Sequence, residues 1–384
     1  MTYALSHFGG GEPVTPPLPA DRMCFYRTLV LAPSARCNMR CVYCSGDAGH
    51  RSDAVMDWDM AKAAIDYFYA HCDETAPMIL QFHGAGEPMT APDIVRKATE
   101  YAREIAAQKS KPFFSRISTN GVMTKEQALW LAQNMNHISL SIDGLPEAHN
   151  AQRPLKNGGD SYDTVLRSLT IFKEYHAVKR INMVVSNQGL AHMEENLRHI
   201  DSLCGPIELR VLPMQYCGRS ARTAQTPVDW AYFNRKLPEL IQAGRELGVR
   251  VVTGTELMAY STGHYCQACG YAMCVTPSGD VSTCVEAMSR EEKGLSELFI
   301  GTYDKEARTF SVGWDKVFRL RGRTYAALEG CRDCVFRTNC AGNCLVRAAR
   351  ENGTVFSVSK QACDMTKKTL AAELIKQASQ PSQS

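Results

Sequence analysis

The chain has 384 residues and lacks an excess of either charge: 43 lysines and arginines face 40 aspartates and glutamates, a formal net charge of +3. So even a balance leaves no electrostatic footprint for nucleic acid. No apolar run reaches transmembrane length, and Met1 is followed by no basic segment and apolar stretch of the secretory kind. No membrane partner is therefore expected, and a cytoplasmic, reducing location is. What the chain has in quantity is cysteine, sixteen in all. In a reducing compartment, cysteines clustered at short fixed spacings read as metal ligands before disulfides.

Three of them, Cys37, Cys41 and Cys44, sit in one short loop directly after the apolar, strand-like run from Thr28 to Ala32. Three thiolates on a tight loop can hold three irons of a four-iron cluster and leave the fourth iron open to a small molecule, as a catalytic zinc site keeps a coordination position open. A structural zinc site is the bland alternative. His50 offers a fourth ligand, but Ser45 to Arg51 contains no second cysteine pair.

From Leu29 to about Gln215 short β-rich runs alternate with helical ones. Met78 to His83, Phe114 to Ser118, His137 to Ile142, Arg180 to Ser186 and Ile207 to Met214 read as strands. Asp57 to His71, Pro92 to Gln108, Lys125 to Asn134, Tyr162 to Tyr175 and Met193 to Leu203 read as helices. Such alternation demands a parallel α/β sheet with crossover helices. The expected division is an arm over 1–27, a barrel over 28–225, a bridging helical region over 226–260 with its helix near Val228 to Leu247, a cysteine-rich domain over 261–370, and a polar tail over 371–384.

The C-x3-C-x2-C spacing after the first strand resembles the radical S-adenosylmethionine (SAM) superfamily, whose open iron chelates the amino and carboxylate groups of SAM. The resemblance implies a partial (β/α)6 TIM-like barrel with substrate at the strand C-terminal ends. His83-Gly84-Ala85-Gly86-Glu87-Pro88 is similar to the family's Gly-Gly-Glu-Pro element, with one alanine in place of a glycine. The resemblance makes Gly84, Gly86 and Glu87 SAM-binding. It extends to Ser118 and Asn120 at the end of the third strand, to Ser141 and Arg153 as partners of the SAM carboxylate, and to Tyr43 against the adenine. An ordinary turn and a solvated arginine are the plain alternatives for these positions.

Further on, Cys269-x9-Gly279-x4-Cys284, then Cys331-x2-Cys334-x5-Cys340-x3-Cys344, then Cys363, resembles the seven-cysteine pattern of the SPASM domain, a C-terminal cysteine-rich iron-sulfur domain. By that resemblance one auxiliary [4Fe-4S] cluster is held by Cys269, Cys284, Cys344 and an upstream cysteine, and a second by Cys331, Cys334, Cys340 and Cys363. Cys266 and Cys274 both offer themselves upstream. The x2 spacing to Cys269 favours Cys266 and leaves Cys274 as a buried thiol. Zinc would use the same thiolates.

The resemblance implies three [4Fe-4S] clusters, SAM, an external one-electron donor such as flavodoxin or ferredoxin, and a peptide or protein substrate attacked by a 5'-deoxyadenosyl radical. The preferred chemistry is an oxidative crosslink, thioether or carbon-carbon, in a ribosomally made peptide. Sulfatase maturation to formylglycine is the first alternative. In sulfatase maturases an aspartate directly follows the auxiliary cysteine, whereas Val285 follows Cys284 here and Glu286 stands one further on, a shifted candidate base. Peptide epimerisation is another, with Cys217 the best-placed spare thiol among Cys24, Cys72, Cys204 and Cys217. A non-catalytic iron-sulfur electron carrier leaves the glycine-rich element and Arg153 without purpose. The arm is too short for a winged leader-binding domain.

Overall fold

The computed structural model describes residues 25–73, 76–253 and 261–379. Most of the expected arm, Cys24, the end of the bridging region and the last five residues of the tail lie outside the described residues. Strands β1 (Thr28–Leu31), β2 (Met78–Phe82), β3 (Phe113–Thr119), β4 (His137–Ser141), β5 (Val178–Val185), β6 (Glu208–Pro213) and β7 (Arg250–Val252) lie side by side in chain order, every pair parallel. Helices return between the first six. Trp58–Ala70 is started by Asp57, whose carboxylate accepts from the Met60 N–H at 2.8 Å, and it buries Ala61, Ala64, Ile65 and Phe68 at helical spacing. Lys125–Asn134 begins with a reciprocal Thr124/Gln127 capping box. The architecture is the expected α/β partial barrel.

The sheet continues past the barrel. Beyond the other edge of β1 come β8 (Ala272–Val275), β9 (Asp280–Ser282), β10 (Phe299–Asp304) and β11 (Thr309–Val312), making eleven strands among the described residues. β8 runs parallel to β1 with Leu29 beside Met273 and Leu31 beside Val275, while β8 to β11 form an antiparallel meander. β7 also extends the expected set of six. At three residues it is too short for a period-two signal, and it is fixed by pairing Leu209 with Val251 after the helix Trp230–Leu247. The final helix, Lys360–Ser379, carries regular structure well into the segment expected to be a tail. No described helix is long and apolar enough to cross a membrane.

Two faces of the barrel strands differ. Ile181, Met183 and Val185 of β5 and Leu209 and Val211 of β6 are buried under the helices. The alternating residues Arg180, Asn182, Glu208 and Arg210 are only partly buried and belong to the opposite, inner face. A polar inner face is what an open barrel needs if a polar ligand is to enter it.

Candidate functional site

The cysteine loop follows β1, and the ends of four other strands hold it. From β2, the Glu87 N–H donates to the Arg36 carbonyl at 2.9 Å, and Gly86 packs so tightly that a Cβ there would stand 2.1 Å from the same oxygen. From β3, Asn120 Nδ2 donates to Asn38 Oδ1 at 2.8 Å and reaches Cys37 Sγ at 3.8 Å, while Asn38 Nδ2 donates to the Val122 carbonyl. Beyond β4, the Val42 and Arg40 N–H groups donate to the carbonyls of Gln152 and Pro154. Beyond β6, buried Arg219 donates to Asp47 Oδ1 at 2.9 Å, to the Cys41 carbonyl at 3.0 Å and to the Ala48 carbonyl at 2.7 Å. Gly218 takes φ +54° against the Ser45 and Cys44 carbonyl oxygens, at 2.2 and 2.5 Å from a would-be Cβ, so only glycine fits there.

Cys37 and Cys41 each feel the neighbouring cysteines of the loop, which disfavours their losing protons. Burial first, then neighbouring thiols and acids, push Cys37 up to about 11, although the Met39 N–H partly opposes this. Burial likewise pushes Cys41 up to about 12, against the pull of Arg153. A bound metal cluster supplies the positive charge that these thiols would need to lose their protons. The donors already aimed at sulfur, Met39 N–H on Cys37 at 3.5 Å and Ala48 N–H on Cys44 at 3.4 Å, suit thiolate ligands. The loop therefore fits an iron-sulfur cluster.

Around it the expected SAM residues fall into different roles. Glu87 is 3 % exposed and its carboxylate is already engaged by the Met89 and Asn120 N–H groups and the Thr119 hydroxyl, at 3.1, 2.7 and 2.7 Å. Burial raises it to about 6, against those three bonds. It ties β2 to β3. Gly84 faces Val285 and Met288 of the C-terminal region. Ser118 and Ser141 stand at the upper ends of β3 and β4 on the inner face. Arg153 is 6 % exposed: Nη2 donates to Asp143 Oδ1 at 3.0 Å, Nε lies 2.9 Å from Oδ2, and the guanidinium stands over the Tyr43 ring at 5.2 Å. The Tyr43 hydroxyl and the Val184 N–H also donate to Asp143, at 2.5 and 2.9 Å. Asp143, not singled out from the sequence, is thus the centre of this group. It lies between the quoted Ser141 and Arg153, and its spacing from Arg153 was the signal available.

Ala85 departs from the glycine pattern at a cost, since it takes φ +46°, where a Cβ is crowded. Ala85→Gly should raise unfolding stability by about 1 kcal/mol, the left-handed penalty less the added chain entropy. A lower denaturant midpoint would contradict this.

The C-terminal cysteines gather in two groups. Cys331, Cys334, Cys340 and Cys363 all line one cavity of about 230 Å³. Cys266, exposed as a residue, has its thiol raised first by surrounding protein and then by Cys269, Cys284 and Cys344, which stand close enough to act on it. Cys274 lies in β8, 1 % exposed, packed with Val30 and Ala272. Between the groups sits Arg323, fully buried, donating among the described residues to the carbonyls of Gly342, Asn343, Val355 and Ser357. Its charge is felt by Cys269 and Cys331, one from each group. Among the described residues no three His, Cys, Asp or Glu side chains converge on a single-ion site.

Glu286 and Cys217 meet near the cysteine loop. Arg350 donates to Glu286 at 2.7 Å, to Gln215 at 2.6 Å and to Glu292 at 2.8 Å. Burial, the largest single influence, pushes the Glu286 carboxyl up, but Arg350, Arg347 and Arg210 together outweigh it and hold the group below the usual range. Burial pushes the Cys217 thiol up to about 11, with Arg350 opposing and Glu286, Glu292 and Cys44 reinforcing.

Residues 31–200 match the radical SAM superfamily. The radical SAM cyclopropyl synthase TigE of Paramaledivibacter caminithermalis is 21 % identical over 372 residues, spanning 89 % of this chain and 72 % of that one. A cysteine-type anaerobic sulfatase-maturating enzyme of Clostridium perfringens is 26 % identical over 177 residues, 44 % of this chain and 46 % of that one. The chain spans 57 % of an uncharacterized archaeal relative that it matches. Among solved structures, native anSMEcpe with bound AdoMet and the Kp18Cys peptide superposes with a TM-score of 0.70 at 18 % identity, covering 91 % of this chain and 97 % of that one.

Proposed function

From the premise that residues 31–200 form a radical SAM domain and that the chain is an enzyme related to peptide maturases, we propose that it oxidatively modifies a peptide or protein, forming a thioether or carbon-carbon crosslink, with Cys37, Cys41 and Cys44 as the ligands of the SAM cluster. When bound, the reduced cluster and SAM supply a 5'-deoxyadenosyl radical that removes hydrogen from an unactivated carbon. The chain's own work is to hold the cysteine loop from four strand ends and to keep the surrounding Tyr43, Asp143 and Arg153 dry and fixed.

The observation that carries the oxidative reading is Arg323. A fully buried guanidinium with no carboxylate partner among the described residues is costly unless negative charge stands close by. Thiolates on both sides supply it if Cys266, Cys269, Cys284 and Cys344 hold one auxiliary cluster and Cys331, Cys334, Cys340 and Cys363 another. Four cysteines around a cavity of about 230 Å³, with no three ligands converging on a single-ion site among the described residues, suit a polynuclear cluster. Two such clusters give the departing electron somewhere to go.

The test is the mass of the product. Anaerobically reconstituted protein, given dithionite, SAM and small peptides translated from neighbouring reading frames, should release 5'-deoxyadenosine and make one of those peptides lighter by two hydrogens. Cys217 supports a second reading, because a protonated thiol beside the cysteine loop can return a hydrogen atom to a substrate radical, as in epimerisation. A product of unchanged mass that gains deuterium at an α-carbon in heavy water would select that reading, and an aldehyde would select formylglycine formation.

A further inference from the structure

The inner face of the barrel holds polar atoms that the fold leaves unused. His83 Nδ1, Asn182 Oδ1 and Arg210 Nε are all buried without a hydrogen-bond partner. Native proteins carry few such atoms, because each costs about 1–3 kcal/mol, and a cluster of them is explained when a bound molecule completes their bonds. They are neighbours by construction: Asn182 and Arg210 are opposite partners across β5 and β6, and His83 follows β2 next to Gly84, which faces Val285 beside Glu286.

The charge there is lopsided. Glu286 and Glu292 are both taken by Arg350, and Arg51 stands 3.5 Å from Glu292. Arg210 and Arg347 both act electrostatically on Glu286 and on Tyr265, yet neither has a carboxylate within ion-pair distance among the described residues. Arg347 lies instead over the Trp230 ring at 5.5 Å. Burial, then Arg210, depresses His83 to about 4, so its ring is neutral at pH 7 and adds no charge of its own. What remains is two guanidinium groups without an ion pair among the described residues, Arg210 beside Asn182 and close to His83, and Arg347 close enough to act with it on Glu286.

Resting on the peptide-modifying reading above, we propose that this enzyme selects substrates carrying a carboxylate at or beside the modified residue, which Arg210 and Arg347 receive with His83 and Asn182. An aspartate, a glutamate or a free peptide C-terminus has the required chemistry. A guanidinium meets a carboxylate with paired donors, and with Arg210 Nε, Asn182 Oδ1 and His83 Nδ1 all buried the contact is strong enough to choose between substrates. SAM also carries a carboxylate, so the two sources must be separated.

An mRNA-displayed library of randomised dodecapeptides, selected against anaerobically reconstituted holoenzyme with SAM, separates them. The selection should enrich Asp or Glu at a fixed position or an acidic C-terminus. Arg210→Gln and Arg347→Gln should each weaken binding of an enriched peptide by about tenfold or more, with Arg210→Lys recovering part of it, while SAM affinity by equilibrium dialysis stays the same. Unchanged thermal unfolding of the variants excludes a folding defect. Enrichment of neutral or basic peptides, no enrichment, or loss of SAM affinity with unaltered peptide preference would overturn the proposal. The underlying reading fails separately, if the wild-type protein yields no 5'-deoxyadenosine under dithionite.

Discussion

Replacing Cys37, Cys41 and Cys44 together with alanine should abolish reductive cleavage of SAM and remove about a third of the bound iron, leaving the rest on the eight C-terminal cysteines. The first loss follows because those thiols stand on one loop with N–H donors directed at the sulfurs of Cys37 and Cys44. The second follows because the other two groups lie apart from that loop, one lining its own cavity. Iron and labile sulfide analysis beside chromatographic assay of 5'-deoxyadenosine reads both. Retention of cleavage would sink the ligand assignment, and loss of all iron would sink the independence of the auxiliary groups.

Asp143→Ala should cost about 3–5 kcal/mol of unfolding free energy, among the largest effects available to a single substitution in this chain. Its side chain has no exposed surface, and its removal strands Arg153, whose side chain is 7 % exposed, without an opposing charge. The Tyr43 hydroxyl and the Val184 N–H lose their acceptor at the same time. Pairing Asp143→Leu with Arg153→Met removes both charges and should recover a large part of the loss, because what costs most is one buried charge left alone. Anaerobic urea unfolding measures the cycle. A single variant within 1 kcal/mol of wild type would mean that water reaches the pair. The same geometry bears on SAM: with Nε and Nη2 turned to Asp143, Arg153 has only part of its fork to offer a carboxylate.

Much of this was open to reading from the residues, for physical reasons that differ from element to element. The barrel strands β1 to β6 follow their apolar runs to within two residues at each end, because apolar stretches bounded by turns leave few other foldings. The two sets of C-terminal cysteines were expected from the resemblance to the SPASM pattern and not from spacing alone, since Cys284 and Cys344, which both act on Cys266, stand in separate segments of the chain. Asn38, Asp47, Arg219, Arg323 and Arg350 were not legible. Each works through a partner up to 178 residues away, and nothing local distinguishes a buried arginine from a solvated one. Glu87 shows the converse. Its neighbourhood was recognised, but that its oxygens turn inward to Thr119 and Asn120 depends on how β2 meets β3.

The pairing of β1 with β8 has a further consequence for how the chain must be made. β1 is the first strand of the barrel in sequence, yet its second hydrogen-bonded neighbour leaves the ribosome more than 240 residues later, Thr28 waiting for Ala272. Until then the growing barrel carries a naked edge beside the loop of Cys37, Cys41 and Cys44, and such an edge invites pairing with other chains. A fragment ended before Ala272 would keep that edge permanently. The C-terminal region is thus no removable attachment but the closing piece of the first one's sheet, and the barrel expressed without it should aggregate rather than fold into a smaller enzyme.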